Sequence, residues 1–296
     1  MQAGPRRVIA GNWKMYKTVR QALELVDEIL AGCSAVADEA ELLVFPPFTA
    51  LTAVAERCRG TRLRVGGQNL YPAPEGAYTG EVSPVQLAEA GATHVLIGHS
   101  ERRRHFREED AFLARKVAAA RAHGLVPVFF LGETLEERAQ GRTDEVIARQ
   151  LQAGLVELRP EDLEEILIAY EPVWAIGTGQ TATPAQARDA HAYLRGLLQR
   201  KWGTRAERIP LLYGGSVKPE SAADLLAQPQ VGGLLVGGAS LEARSFLGIA
   251  SAARRAGRWK VDPPSGQVPP TRAIRRGVRP AEGRANGRLT LSGACC

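Results

Sequence analysis

The stretch Ile166–Gly179 reads I-L-I-A-Y-E-P-V-W-A-I-G-T-G. Ile166 to Tyr170 is an apolar run that predicts a buried strand, and it ends on a single carboxylate, Glu171. Pro172 follows at once; it has no N–H to offer a sheet and stops the strand. Val173, Trp174, Ala175 and Ile176 form a short apolar segment, closed by Gly177-Thr178-Gly179. Apolar residues between a proline and two glycines have the composition of a lid that shuts over a site and excludes water. Beyond it, Thr183 is a plausible helix cap and Pro184 suits a first helical turn, so Pro184–Trp202 is predicted to be a helix. The unit is strand, lid, helix, with a carboxylate at the strand tip.

Working outward, the same strand-then-helix unit recurs. Seven more short apolar runs can be marked: Val8–Ala10, Leu42–Phe45, Leu63–Val65, His94–Ile97, Val126–Leu131, Ile209–Tyr213 and Leu234–Val236. Between them lie helical patterns; Val19, Leu23, Val26 and Leu30 predict one apolar helix face. Such alternation fits a closed parallel barrel ringed by helices, with an open doubly wound sheet as the other arrangement of the same units. In a barrel the site lies at the carboxyl ends of the strands. Asn12 and Lys14 follow the first run and His99 the fourth. Glu171 follows the sixth, Ser216 the seventh, and Gly237-Gly238 the eighth, so every chemically interesting group falls on one rim.

Composition sets the limits. The 296 residues are 45% apolar and 6% aromatic, which suits a globular protein with a substantial core. No apolar run approaches the roughly 18 residues of a membrane helix, and Met1–Val8 holds no secretory apolar region. Cys33, Cys58, Cys295 and Cys296 lack metal-ligand spacing, so a reduced, cytoplasmic setting is expected. The net charge of +6 is unevenly placed: residues 258–296 hold eight of the 38 cations and two of the 32 acids, leaving thirty of each before them. The basic pI therefore belongs to the tail and does not mark a nucleic-acid-binding body.

Four further motifs accompany the lid: Gly11-Asn12-Trp13-Lys14-Met15, Gly98-His99-Ser100-Glu101-Arg102-Arg103, Tyr213-Gly214-Gly215-Ser216-Val217 and Leu235-Val236-Gly237-Gly238-Ala239-Ser240. In this order and spacing, across residues 7–256, they resemble the triosephosphate isomerases. The resemblance decides between the two arrangements and implies a closed eight-stranded (β/α)8 barrel, a TIM barrel. It implies interconversion of D-glyceraldehyde 3-phosphate and dihydroxyacetone phosphate, in glycolysis and gluconeogenesis, without metal or cofactor. The chemistry fits these residue types. Moving a proton between adjacent carbons needs a base, here Glu171, and a group that polarises the carbonyl, here His99. A carboxylate under a lid that removes water is a stronger base, because desolvation disfavours its charged form. The resemblance implies a neutral imidazole at His99, Lys14 and Asn12 as catalytic and substrate-contacting groups, and Ser100 and Glu101 as supports, with Glu101 pairing Lys14. Phosphate would sit on Gly177, Ser216, Gly237 and Gly238, where glycine lets backbone N–H groups approach an anion.

The long connection Gln68–Glu81, with Tyr71 and Tyr78, is implied to dock into the partner of a homodimer. Two positions depart from the family. Phe130 replaces a usual Cys, and Gly232 replaces a usual Asp that would pair with Arg195; both bear on stability rather than on the chemistry. The body is expected to be residues 1–257. Residues 258–296, rich in Pro, Gly and Arg, are expected to be disordered. The other function class is a non-catalytic barrel that binds a partner through this basic tail; no membrane or nucleic-acid partner is expected.

Overall fold

A computed structural model describes residues 7–257 and Trp259, apart from positions 37, 39 and 177–181. Among them are eight strands: β1 (Arg7–Asn12), β2 (Ala40–Phe45), β3 (Leu63–Gly67), β4 (His94–Ile97), β5 (Val126–Leu131), β6 (Leu167–Tyr170), β7 (Leu211–Tyr213) and β8 (Gly233–Val236). Each pairs in parallel with the next, and β8 returns to β1 with Val8 opposite Gly233 and Gly11 opposite Val236. That last pairing closes the barrel and removes the open-sheet arrangement. The helices are α1 (Val19–Cys33), α2 (Phe48–Cys58), α3 (Pro84–Glu89), α4 (Ser100–His105), α5 (Asp110–Ala122), α6 (Leu135–Ala139), α7 (Thr143–Gly154), α8 (Pro184–Trp202), α9 (Ala222–Leu226) and α10 (Ala243–Ala256).

The two-residue side-chain period of a strand builds two cores. Ala10, Leu43, Phe45, Leu96, Phe130 and Leu212 point into the barrel. Their neighbours, such as Ile9, Val44, Ile97, Phe129 and Leu211, point out against the helices. Both faces are buried, so the strands read as continuous apolar runs rather than alternating ones. Four helices begin with a reciprocal capping box: Thr18 with Gln21, Ser83 with Gln86, Thr134 with Glu137, and Thr183 with Gln186. The expected cap and span of α8 are met.

Three expectations need correction. The buried stripe of α1 is Ala22, Leu25, Val26, Ile29 and Cys33, whereas Val19 is 41% exposed. Ala22 carries the contact that a pattern built on large residues assigns to Val19 and Leu23. Arg195 is not left unpartnered by Gly232. It is buried, its Nε donates to Gln230 Oε1 at 3.0 Å, and its guanidinium donates to the carbonyls of Ala206 and Ile209. The indole of Trp259 lies 5.0 Å from the guanidinium carbon and is 1% exposed. Trp259 is therefore part of the packed body, two residues past the expected boundary at 257. Burial lowers the Arg195 pKa to about 10. The expected disorder of 258–296 otherwise concerns positions outside the described residues.

No helix among the described residues is long and apolar enough to cross a membrane.

Candidate active site

The carboxyl ends of the strands surround a cavity of about 560 Å³. Asn12, Lys14, His99, Ser100, Glu101, Glu171, Ser216, Gly237 and Gly238 all line it. These are the residues marked in the sequence, with one exception: Gly177 lies outside the described residues. Val173, Ala175 and Ile176 form an apolar part of the same wall.

Glu171 is the first residue after β6. Its N–H donates to the Leu131 carbonyl at 2.8 Å, which continues the sheet pairing and fixes where its side chain leaves. The carboxylate is 3–4% exposed; Oε2 accepts the Ser100 N–H at 2.9 Å and Oε1 stands 3.1 Å from His99 Nε2. The close approach explains a glycine: a Cβ on Gly132 would lie 1.8 Å from the Glu171 carbonyl oxygen.

His99 caps α4. Gly98, at φ +82°, turns the chain from β4 so that the imidazole faces the cavity. Its Nδ1 accepts the Glu101 N–H at 3.2 Å. A backbone N–H only donates, so Nδ1 is bare and the proton of a neutral ring sits on Nε2, directed at Glu171. Phe130, fully buried, packs its ring at 4.9 Å from the imidazole centroid, close to edge-on. This corrects the view that the Phe130 departure stays clear of the chemistry: it is a wall of the His99 pocket.

Lys14 has φ +50°, a left-handed conformation that costs a lysine roughly 1–2 kcal/mol. Three groups hold it. Asn12 Oδ1 accepts its N–H at 3.0 Å, and Gln68 Nε2 donates to its carbonyl at 2.8 Å while also donating to that of Phe45 at 2.9 Å. The ammonium reaches Glu101 Oε1 at 2.5 Å, the expected pairing. Burial raises the Glu101 pKa, but the Lys14 hydrogen bond and nearby cations outweigh it and the carboxyl ends below its ordinary value.

Two supports were missed in the sequence. Gln68 opens a long loop with no periodicity, and nothing in the string ties it to Lys14, more than fifty residues away. Glu133 follows β5 and is fully buried. It accepts from the Tyr170 hydroxyl at 3.1 and 3.2 Å, from Trp174 Nε1 at 2.9 Å and from Arg138 at 3.3 Å, and so fastens the first half of the predicted lid. Burial and the Glu133 charge push the Tyr170 phenol far above its usual range, so it remains a donor. Arg102 and Arg103 are committed to the scaffold: they pair with Glu108 and Asp110, each at 2.6 Å. Among the described residues no cluster of acids, histidines and cysteines could hold a metal ion.

Comparison with known proteins agrees with this geometry. The family model described as triosephosphate isomerase matches residues 7–253. The triosephosphate isomerase of Chloroflexus aurantiacus is 51% identical over 243 residues, 82% of this chain and 97% of that protein. That of Fusobacterium nucleatum is 46% identical over 248 residues, 83% of this chain and 98% of that protein. The crystal structure of the triosephosphate isomerase of Bartonella henselae matches with a TM-score of 0.77 and 42% identity, covering 84% of this chain and 100% of that one.

Proposed function

The chain belongs to the triosephosphate isomerase family and interconverts D-glyceraldehyde 3-phosphate and dihydroxyacetone phosphate; from that premise we propose how its own residues move the proton. Glu171 takes a proton from one substrate carbon and returns it to the neighbouring one. The His99 Nε2–H, which now points at Glu171, donates to the substrate carbonyl instead and then to the enediolate oxygens. Substrate thus exchanges with His99 as the partner of the carboxylate, which frees the base as the acid engages. Lys14 sets a fixed positive charge beside the developing negative one, and such preorganised charge is strongest where water is excluded. Asn12 spends its Oδ1 on the Lys14 N–H, leaving its amide N–H groups for a substrate oxygen. Phosphate is taken by backbone N–H groups at Ser216, Gly237 and Gly238, with Gly177 joining from the lid.

The observation that most supports this reading is the 3.1 Å approach of His99 Nε2 to Glu171 Oε1 on the wall of one cavity, beside an apolar lid segment. A coupled assay that follows dihydroxyacetone phosphate formed from D-glyceraldehyde 3-phosphate tests it. Turnover is expected without added metal or cofactor, and absence of turnover would end the reading.

A homodimer through residues 68–81 belongs to the same proposal. Tyr78 of this loop is 45% exposed, and Met15 and Phe106, on the neighbouring loops after β1 and β4, are 94% and 65% exposed. Sedimentation at micromolar protein is expected to give a two-chain mass. The described cysteines, Cys33 and Cys58, are free and buried, which favours the reducing cytoplasm, where the glycolytic and gluconeogenic reactions run.

A further inference from the structure

The cavity holds a charge problem that its proposed chemistry leaves open. A triose phosphate is a dianion near neutral pH. Of the fixed charges around Glu171, Lys14 is already neutralised by Glu101 at 2.5 Å. Glu171 adds one uncompensated negative charge, so this inner group repels the substrate at long range. Beyond it, two further cations line the same cavity: Arg104, in the last turn of α4, and Lys218, in the loop after β7. Both are exposed. Neither side chain has a hydrogen-bond or ion-pair partner among the described residues, whereas the adjacent Arg102 and Arg103 are committed to Glu108 and Asp110. The body carries equal numbers of basic and acidic residues, so no general positive field does this work.

We propose that Arg104 and Lys218 are entrance cations that reverse the sign of the field at the mouth, steer the phosphate dianion inward and favour phosphorylated over unphosphorylated trioses at the approach step. The inference rests on the isomerase reading above. Its basis is the placement of the two chains of charge: one cation follows His99 by five residues, and the other follows Ser216 by two. One stands in the last turn of α4, after β4, and the other on the loop after β7, three strands further round the barrel. Low-dielectric walls around such a mouth focus the field, and steering of this kind raises association rates by about 10- to 1,000-fold.

The test compares the full-length enzyme with an Arg104→Ser, Lys218→Ser double variant at pH 8. Two substrates are used, D-glyceraldehyde 3-phosphate and uncharged D-glyceraldehyde. At about 20 mM ionic strength kcat/KM for the phosphate ester is expected to fall about tenfold. At about 0.5 M salt, where exposed charges are screened within a few ångströms, the two proteins are expected to converge to within about twofold. D-Glyceraldehyde turnover is expected to be unchanged, and the charge-conserving pair Arg104→Lys, Lys218→Arg to restore the original salt dependence. A salt dependence equal to that of the unmodified enzyme would overturn the proposal. So would an equal loss with D-glyceraldehyde, or a loss that persists in full at high salt, since either would mean direct contact or a damaged site. Failure of the underlying reading would look different: the unmodified enzyme would not turn over the phosphate ester at all.

Discussion

The proposed role of Glu171 as the base sets two requirements: the carboxylate must be held in place and must remain able to take a proton. Ser100 and His99 hold it from one side, while the cavity is open on the other. Glu171→Gln keeps the shape and still accepts the Ser100 N–H, but it cannot take a proton. Turnover is expected to fall by about 10²- to 10⁴-fold, with KM changed far less, in the coupled assay. His191 shows the same physics without catalysis. It is fully buried, its Nδ1 faces the Gln230 carbonyl at 3.2 Å, and its Nε2 has no partner. Burial, with the nearby Arg195 charge, lowers its pKa to about 4. The unfolded chain, at about 6.5, therefore binds this proton first as pH falls. The stabilisation is complete above pH 6.5 and is lost as pH drops toward 4, the loss reaching about 2 kcal/mol at pH 5. Thermal unfolding between pH 7 and 5 should accordingly lose part of its slope in His191→Gln. His94, lowered to about 3 by burial and Arg64, acts in the same direction.

Among the elements, the segment after β6 is central to the proposed mechanism. Pro172 to Ala175 is a short helical turn whose Ala175 N–H donates to the Pro172 carbonyl at 2.8 Å, and Glu133 pins its tryptophan. In the proposed mechanism this apolar flap, fastened at one end, closes without unfolding and shields the enediolate from water. Deleting Val173–Ile176 leaves the base and the electrophile in place but removes the shield. The intermediate then has time to expel phosphate, so methylglyoxal is expected alongside a lower turnover. A drop in turnover with no methylglyoxal would deny the lid this role. The apolar segment was legible because its residue types have no packing reason to sit in a plain turn. Its anchor was not, because Glu133 and Trp174 lie 41 residues apart and only the pairing of β5 with β6 brings them together.

For the whole molecule, the question is where the body ends. Composition changes after Gly257, yet Trp259 is packed over the buried Arg195, which has no carboxylate partner among the described residues. Trp259→Ala is expected to cost about 3–5 kcal/mol. In a chain of this size that lowers Tm by about 10 °C, while kcat/KM stays near its original value because the contact lies away from the cavity. A chain ending at Gly257 should share that loss, whereas one ending at Lys260 should unfold at the temperature of the full protein. Equal stability of all three would show that Trp259 contributes nothing.

The sequence by itself determined the strand runs, the apolar segment after Pro172, the rim positions of Asn12, Lys14, His99 and Glu171, and the family. Each of these is a local signal, an apolar run or a short string, that survives without knowledge of the neighbours. Only the tertiary structure decided what depends on distant partners: closure of β8 onto β1, the apolar stripe of α1, and the hold of Gln68 on a left-handed Lys14. It also turned Phe130 into a wall of the His99 pocket and gave Arg195 an amide, two carbonyls and an indole in place of an acid. A buried cation or a strained lysine needs donors and acceptors at fixed distances. Those distances arise only when segments far apart in the chain are packed against one another.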